Sequence, residues 1–363
     1  MNTDEEIPTL PFTDLKDRKW SFLYAYNIRI IRDLFVYCAL KKKITQEELY
    51  KAMDTNNIPP PKERWTTPNR KKADRLKLEY VHAATYLGFL HEIKGSFTPN
   101  FSQNASEKET ILEENKGRTF EPAIISPPLT EKEKTSLLKI VLNYKRARDF
   151  LRWFLDFDKY PSIWSFTEAD FRNNAKPLYI LSKIESKKKA REFLRRETDC
   201  KVWRIPDEKP NDYTRLVSFV LPNWFEELEL IGRVIVFPEF SFDGNIWHMY
   251  YPIKSDFVLT PELLQKEIFA LFEPHEEKKT IWMPFLLYVL AKKLNCSVKT
   301  IKSMLLKLHE QDFSSFMLER SSLQVMRYAG KIHFPLYEAS FMKVDDFYIG
   351  YLIASRKKGE KNG

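Results

Sequence analysis

Apolar residues between Ser297 and Gln311 fall at three- and four-residue steps, Ile301, Met304, Leu305 and Leu308, so the spacing predicts a helix with one buried face. Its other face carries Lys299, Thr300, Lys302, Ser303 and Lys307. A second apolar helix, Ile281–Leu294, precedes it, separated only by Asn295-Cys296-Ser297 with Ser297 placed as an N-cap. The same alternation marks a helix over Trp20–Leu40, with Leu23, Tyr26, Ile30, Leu34 and Tyr37 in register. Thr45-Gln46-Glu47-Glu48 reads as a capping box opening a short helix to about Met53. After Pro59-Pro60-Pro61, a long helix starts at Pro68 and buries Ala73, Leu76, Tyr80, Ala83, Ala84 and Leu87. Residues 89–97 then read as a hairpin.

Residues 102–128 are polar and end in Pro127-Pro128, the pattern of a linker. Beyond it, Thr130–Glu133 caps a helix expected to run to Leu155, with a basic face at Lys139, Lys145, Arg146, Arg148 and Arg152. Further helices are expected over 164–196, and short strands at Val202–Ile205, Leu216–Leu221, Val234–Phe237 and Trp247–Tyr251. Phe313–Leu318, Ser321–Tyr328 and Lys331–Tyr337 read as strands following the last helix.

Charge sharpens this picture. The chain has 363 residues and a net charge of +9, and the excess clusters. Lys62–Lys77 holds Lys62, Arg64, Arg70, Lys71, Lys72, Arg75 and Lys77 against Glu63 and Asp74, a local +5. Lys292–Lys307 holds five lysines and no acid, again +5. A basic helix face is often just solvated, but both windows fall on helices whose undersides are apolar. With 43% apolar residues the chain can build cores. Cys38, Cys200 and Cys296 form neither a disulfide framework nor a zinc spacing. The acidic start MNTDEEIPTLPF lacks the apolar core of a signal peptide, and no window reaches the roughly 18 uninterrupted apolar residues of a membrane span. A cytoplasmic, DNA-associated protein of a reducing compartment is expected.

Over residues 290–313 the sequence resembles the helix-turn-helix of winged-helix regulators such as the gluconate-repressor-like family. A small residue, Leu, a Ser-capped turn, Thr and Leu-x-x-Leu stand here as Ala291, Leu294, Ser297, Thr300, Leu305 and Leu308. The resemblance implies a fold that is mainly α with small β wings (α+β), arranged as tandem winged-helix domains. The expected boundaries are an N-terminal arm (1–19), a first winged helix (20–101), a linker (102–129), a central α+β domain (130–256), a C-terminal winged helix (257–355) and a basic tail (356–363). The central domain is read as a second, decorated winged helix or as an unrelated module. The former is preferred because helix, basic helix and strands recur in the order of residues 20–100.

Such a fold implies a non-catalytic protein bound to double-stranded DNA: a regulator, a replication initiator or the DNA-engaging subunit of a defence or mobile-element complex. The expected DNA-binding residues are Thr67, Asn69, Arg70, Lys71, Lys72 and Arg75 in the first unit, Lys94 at its hairpin, and Ser297, Lys299, Thr300, Lys302, Ser303 and Lys307 in the last. Asn and Arg suit base edges and Lys suits phosphate, so the last helix is expected to anchor on the backbone. The alternative is an adaptor whose winged helices bind protein, within a homodimer or a larger complex. Glu92-Ile93-Lys94 with Asp74 upstream matches a minimal nuclease signature and ranks third. Gly-rich phosphate loops, nucleophile elbows and paired-His motifs are all missing, so no cofactor or metal is expected.

Overall fold

In the computed structural model the described residues are 24–60, 70–123, 125–152, 154–155, 171, 175, 178–181, 201–204, 216, 220–237, 247–253, 257–320, 340–345 and 347–356. Helix α1 (Ile28–Lys41) opens at Asn27, whose side chain accepts from the Arg29 N–H, so it begins later than the periodicity from Trp20 suggested. It is the central rod of the first core, burying Ile30, Ile31, Leu34, Phe35, Val36 and Cys38. Strand β1 (Ile44–Thr45) leads into α2 (Gln46–Asp54), which opens on the expected Thr45–Glu48 capping box. Helix α3 (Arg70–Tyr86) and the hairpin β2 (Leu90–Ile93) and β3 (Ser96–Pro99) complete this unit. The hairpin turns through Lys94 and Gly95, both at positive φ (51° and 73°), the geometry whose twist matches paired strands. Its sheet has the antiparallel order β1-β3-β2, with Ile44 opposite Phe97.

The expected linker is folded. Residues 102–129 contain α4 (Ala105–Glu114), which buries Ile111 and Lys108. The Lys108 ammonium donates to the Gly88 carbonyl (2.7 Å) and the Gln103 carbonyl (2.6 Å), and desolvation pulls its pKa down to about 8. A buried network then ties α1 to the next helix, α5 (Glu131–Leu142). Arg32 donates to Asp33 (2.7 Å), to Glu133 (2.9 and 3.1 Å) and to the Pro127 carbonyl (2.8 Å), while Arg118 (2.6 Å) and the Ser126 hydroxyl (2.6 Å) donate to Asp33. The single helix expected to Leu155 breaks at Asn143-Tyr144 into α5 and α6 (Lys145–Arg152). Arg148, expected on the basic face, is buried and donates to the exposed carbonyls of the break, Leu142 (2.9 Å) and Asn143 (3.3 Å).

The central sheet is wired differently from the first. Strands β4 (Leu178–Leu181) and β5 (Lys201–Arg204) are parallel, and the order is β5-β4-β7-β6 with β6 (Ile231–Val236) and β7 (Trp247–Pro252) antiparallel. The described part of residues 130–256 therefore does not repeat the first unit, contrary to the preferred expectation. Leu221, expected to close a strand, opens α7 (Leu221–Glu227) instead, with Pro222 in its first turn and Trp224 and Phe225 buried. Over 164–196, expected to be helical, Leu178–Leu181 form strand β4 instead, and the remainder lies outside the described residues apart from Phe171 and Ala175. Alternating side chains make this sheet a wall between two cores: Ile231 and Tyr250 join the first, Val234, Val236, Met249 and Tyr251 the second. Gly232 is required there, because a Cβ would lie 2.2 Å from the Tyr251 ring.

The last unit runs α8 (Pro261–Phe269), β8 (Lys278–Trp282), α9 (Met283–Leu294), α10 (Val298–Gln311), β9 (Phe316–Arg320), β10 (Met342–Val344) and β11 (Phe347–Ser355). Strand β11 pairs antiparallel with β9, β8 and β10. Of the three expected strands after the last helix, the first corresponds to β9, and 321–328 and 331–337 lie outside the described residues. The partner of β9 is the unforeseen β11. The first and last units thus share an order of helix, strand, helix, helix and then strands, two in the first unit and three described in the last, with the first strand paired to the final one in both. The fold is mixed α+β, and among the described residues no helix is long and apolar enough to cross a membrane.

Candidate nucleic-acid interface

Helix α9 ends because Asn295 turns left-handed (φ 50°), its N–H reaching back to the Ala291 carbonyl. Cys296 is buried in the turn, with its thiol pushed up to about 11 by desolvation, and its carbonyl accepts from the Tyr251 hydroxyl (2.9 Å). The central sheet therefore fixes the turn that aims α10. Ser297 then caps α10, its Oγ accepting from the Thr300 N–H (3.0 Å) and sharing a hydrogen bond with Thr300 Oγ1 (2.7 Å). Ala291, Leu294, Ile301, Leu305 and Leu308 are buried and Met304 packs against them, as the spacing required. Lys299, Thr300, Ser303 and Lys307 are exposed on the opposite face, and Lys302 is half-buried at its edge. Lys299 and Lys307 have no carboxylate partner among the described residues, whereas Lys293 on α9 is paired with Glu267 of α8. Glu310 is exposed beyond Lys307, so the cationic stretch covers the first part of the helix only.

The first unit differs. Thr67 and Asn69 lie outside the described residues, and so do the side chains of Arg70, Lys71 and Lys72, whose backbones form the first turn of α3. Arg75 is exposed, yet it pairs with Glu79 (3.2 Å) and lies over the Tyr24 ring (5.5 Å to its centroid). Lys77, counted in the basic window, is only 3% exposed; its ammonium meets Asp54 at 2.5 Å and Asp74 at 3.7 Å. The window is correspondingly less cationic at the surface than in sequence. Lys94 stands exposed at the hairpin tip. Of the nuclease signature, Asp74 lies 3.7 Å from the Lys77 ammonium, and Glu92 and Lys94 are exposed on the hairpin. Among the described residues no group of three or more His, Cys, Asp or Glu side chains is close enough to hold a metal.

Sequence reasoning missed one cation on the last sheet. Arg320 at the end of β9 is exposed, and its guanidinium carbon lies over the exposed Phe347 ring, 3.7 Å from the centroid. Nothing local marks this pair, since it is made across strands. Comparison with known protein families, with characterised proteins and with solved structures finds no match.

Proposed function

We propose that this chain is a non-catalytic double-stranded DNA-binding protein in which the first and last units are winged helices. The observation that carries the reading is α10: a helix fixed by an apolar underside and a capped turn, whose opposite face offers Lys299, Lys307 and small hydroxyls without an acid until Glu310. A helix so mounted, second of a closely turned pair, fits the major groove while its lysines neutralise phosphates. The shared plan of the two units supports a tandem arrangement, with Arg70, Lys71 and Lys72 as the matching positions of α3.

Electrophoretic mobility shift at two salt concentrations tests this. Lys299→Glu with Lys307→Glu is expected to weaken duplex binding by at least roughly tenfold and to flatten its salt dependence, and Arg70→Glu with Lys72→Glu to do likewise. Unchanged affinity in both double variants would refute the reading. The internal engagement of Arg75 and Lys77 favours a second reading for the first unit, as a protein-binding adaptor. Duplex binding that survives the α3 substitutions but not the α10 substitutions would assign it that role.

A further inference from the structure

We infer that α10 adds affinity for duplex DNA without adding preference among base sequences, an inference that rests on the duplex-binding reading above. Base identity in the major groove is read by side chains that present two hydrogen-bonding atoms in a fixed plane: Arg to guanine, Asn or Gln to adenine. The described surface of α10 offers none of these where a recognition helix meets base edges, namely in its N-terminal turns. Its exposed residues there are Lys299, Thr300 and Ser303, followed by Lys307.

The two hydroxyls nearest the N-terminus are already engaged. Ser297 Oγ accepts the Thr300 N–H and shares a hydrogen bond with Thr300 Oγ1, so reading a base with Ser297 would cost the helix its cap, while a single Thr hydroxyl, able to donate or accept, does not discriminate among bases. The ridge formed by Lys299, Ser303 and Lys307, spaced one turn apart, presents ammonium groups on flexible stems; these meet phosphate as compact charges and have no rigid fork. Rotation of the helix cannot bring other side chains forward, because Val298, Ile301, Leu305 and Leu308 lock its underside. His309 is held against the Phe316 carbonyl (2.9 Å). Gln311, the one amide of the helix, is its last residue and adjoins Glu310, whose charge keeps phosphate away from that end.

Selection from a pool of randomised duplexes with the full chain, run in parallel with Lys299→Ala/Lys307→Ala, tests the inference. The expected result is the same base profile for both proteins, flat or not, with uniformly weaker binding by the variant. The logarithmic salt slope should become shallower by about two, one per phosphate contact removed. A base profile that changes at particular positions in the variant would overturn the inference and leave duplex binding intact, as would an unchanged salt slope. Failure of the unaltered chain to bind any duplex would sink the duplex-binding reading itself, and this inference with it.

Discussion

Arg32 and Asp33 lie side by side at the centre of the first core, both essentially inaccessible, and their charges are balanced by Glu133 and Arg118. A buried ion pair is weak grounds for expecting extra stability, but removing one member leaves an uncompensated charge in a medium that cannot solvate it. Glu133 does three things here: it accepts Arg32, accepts the Asn115 amide (2.6 Å) and takes the Thr130 N–H (2.8 Å) that closes the α5 capping box. Glu133→Ala is therefore expected to lower stability by about 3–5 kcal/mol. Chemical denaturation at neutral pH measures it, and a loss under about 1 kcal/mol would mean the network is not held as described. Lys77 shows why such residues escape a reading of sequence. A lysine beside the apolar stripe of α3 reads as one more member of the basic window, and its partner Asp54 stands on another helix.

The elements that were legible are those whose burial is periodic and one-sided. Helix α10 is the clearest: every apolar position assigned to its underside is buried or packed there, because a helix lying on a core exposes half its circumference. Its cap was legible too, since a serine hydroxyl satisfies a free N–H wherever the chain turns into a helix. Ser297→Ala should cost about 1 kcal/mol of stability, read from a thermal melt of the full chain. A melt unchanged by that substitution would show that the cap contributes nothing. Helix α4 was not legible because it buries little beyond Lys108 and Ile111, and a polar helix cannot be told from a linker by pattern. The short strands β1 and β8 escaped for a related reason: a strand of two residues, or one with a single buried position, leaves no alternation to count. The break between α5 and α6 was hidden by continuous helical periodicity, and the Arg148 guanidinium that satisfies its carbonyls looked like part of a basic face. In the candidate site, the position of α10 was readable and the loss of Arg75 and Lys77 to internal partners was not.

At the scale of the molecule, the central sheet is the shared structural member. One face of the β6–β7 pair completes the core built on α1, and the other completes the core beneath α9 and α10. His248, on β7, is buried in this wall, and desolvation together with the Arg233 charge lowers its pKa from the ordinary 6.5 to about 4. The folded chain thus holds the imidazole neutral where the unfolded chain protonates it. Between pH 6.5 and 4 the unfolded state binds more protons, so this group removes stability as the pH falls through that window, up to on the order of 3 kcal/mol. Above pH 6.5 it has no pH-dependent effect. Because the wall belongs to both cores, the loss should reach both units together: acid titration followed by tryptophan fluorescence and by far-UV circular dichroism is expected to give coincident transitions. His248→Leu removes the titrating group and should flatten the stability profile between pH 6.5 and 4 while leaving transitions at higher pH in place. Separate transitions for the two probes would show that the sheet does not couple the cores, and an unaltered acid profile in the variant would assign the acid sensitivity to other groups.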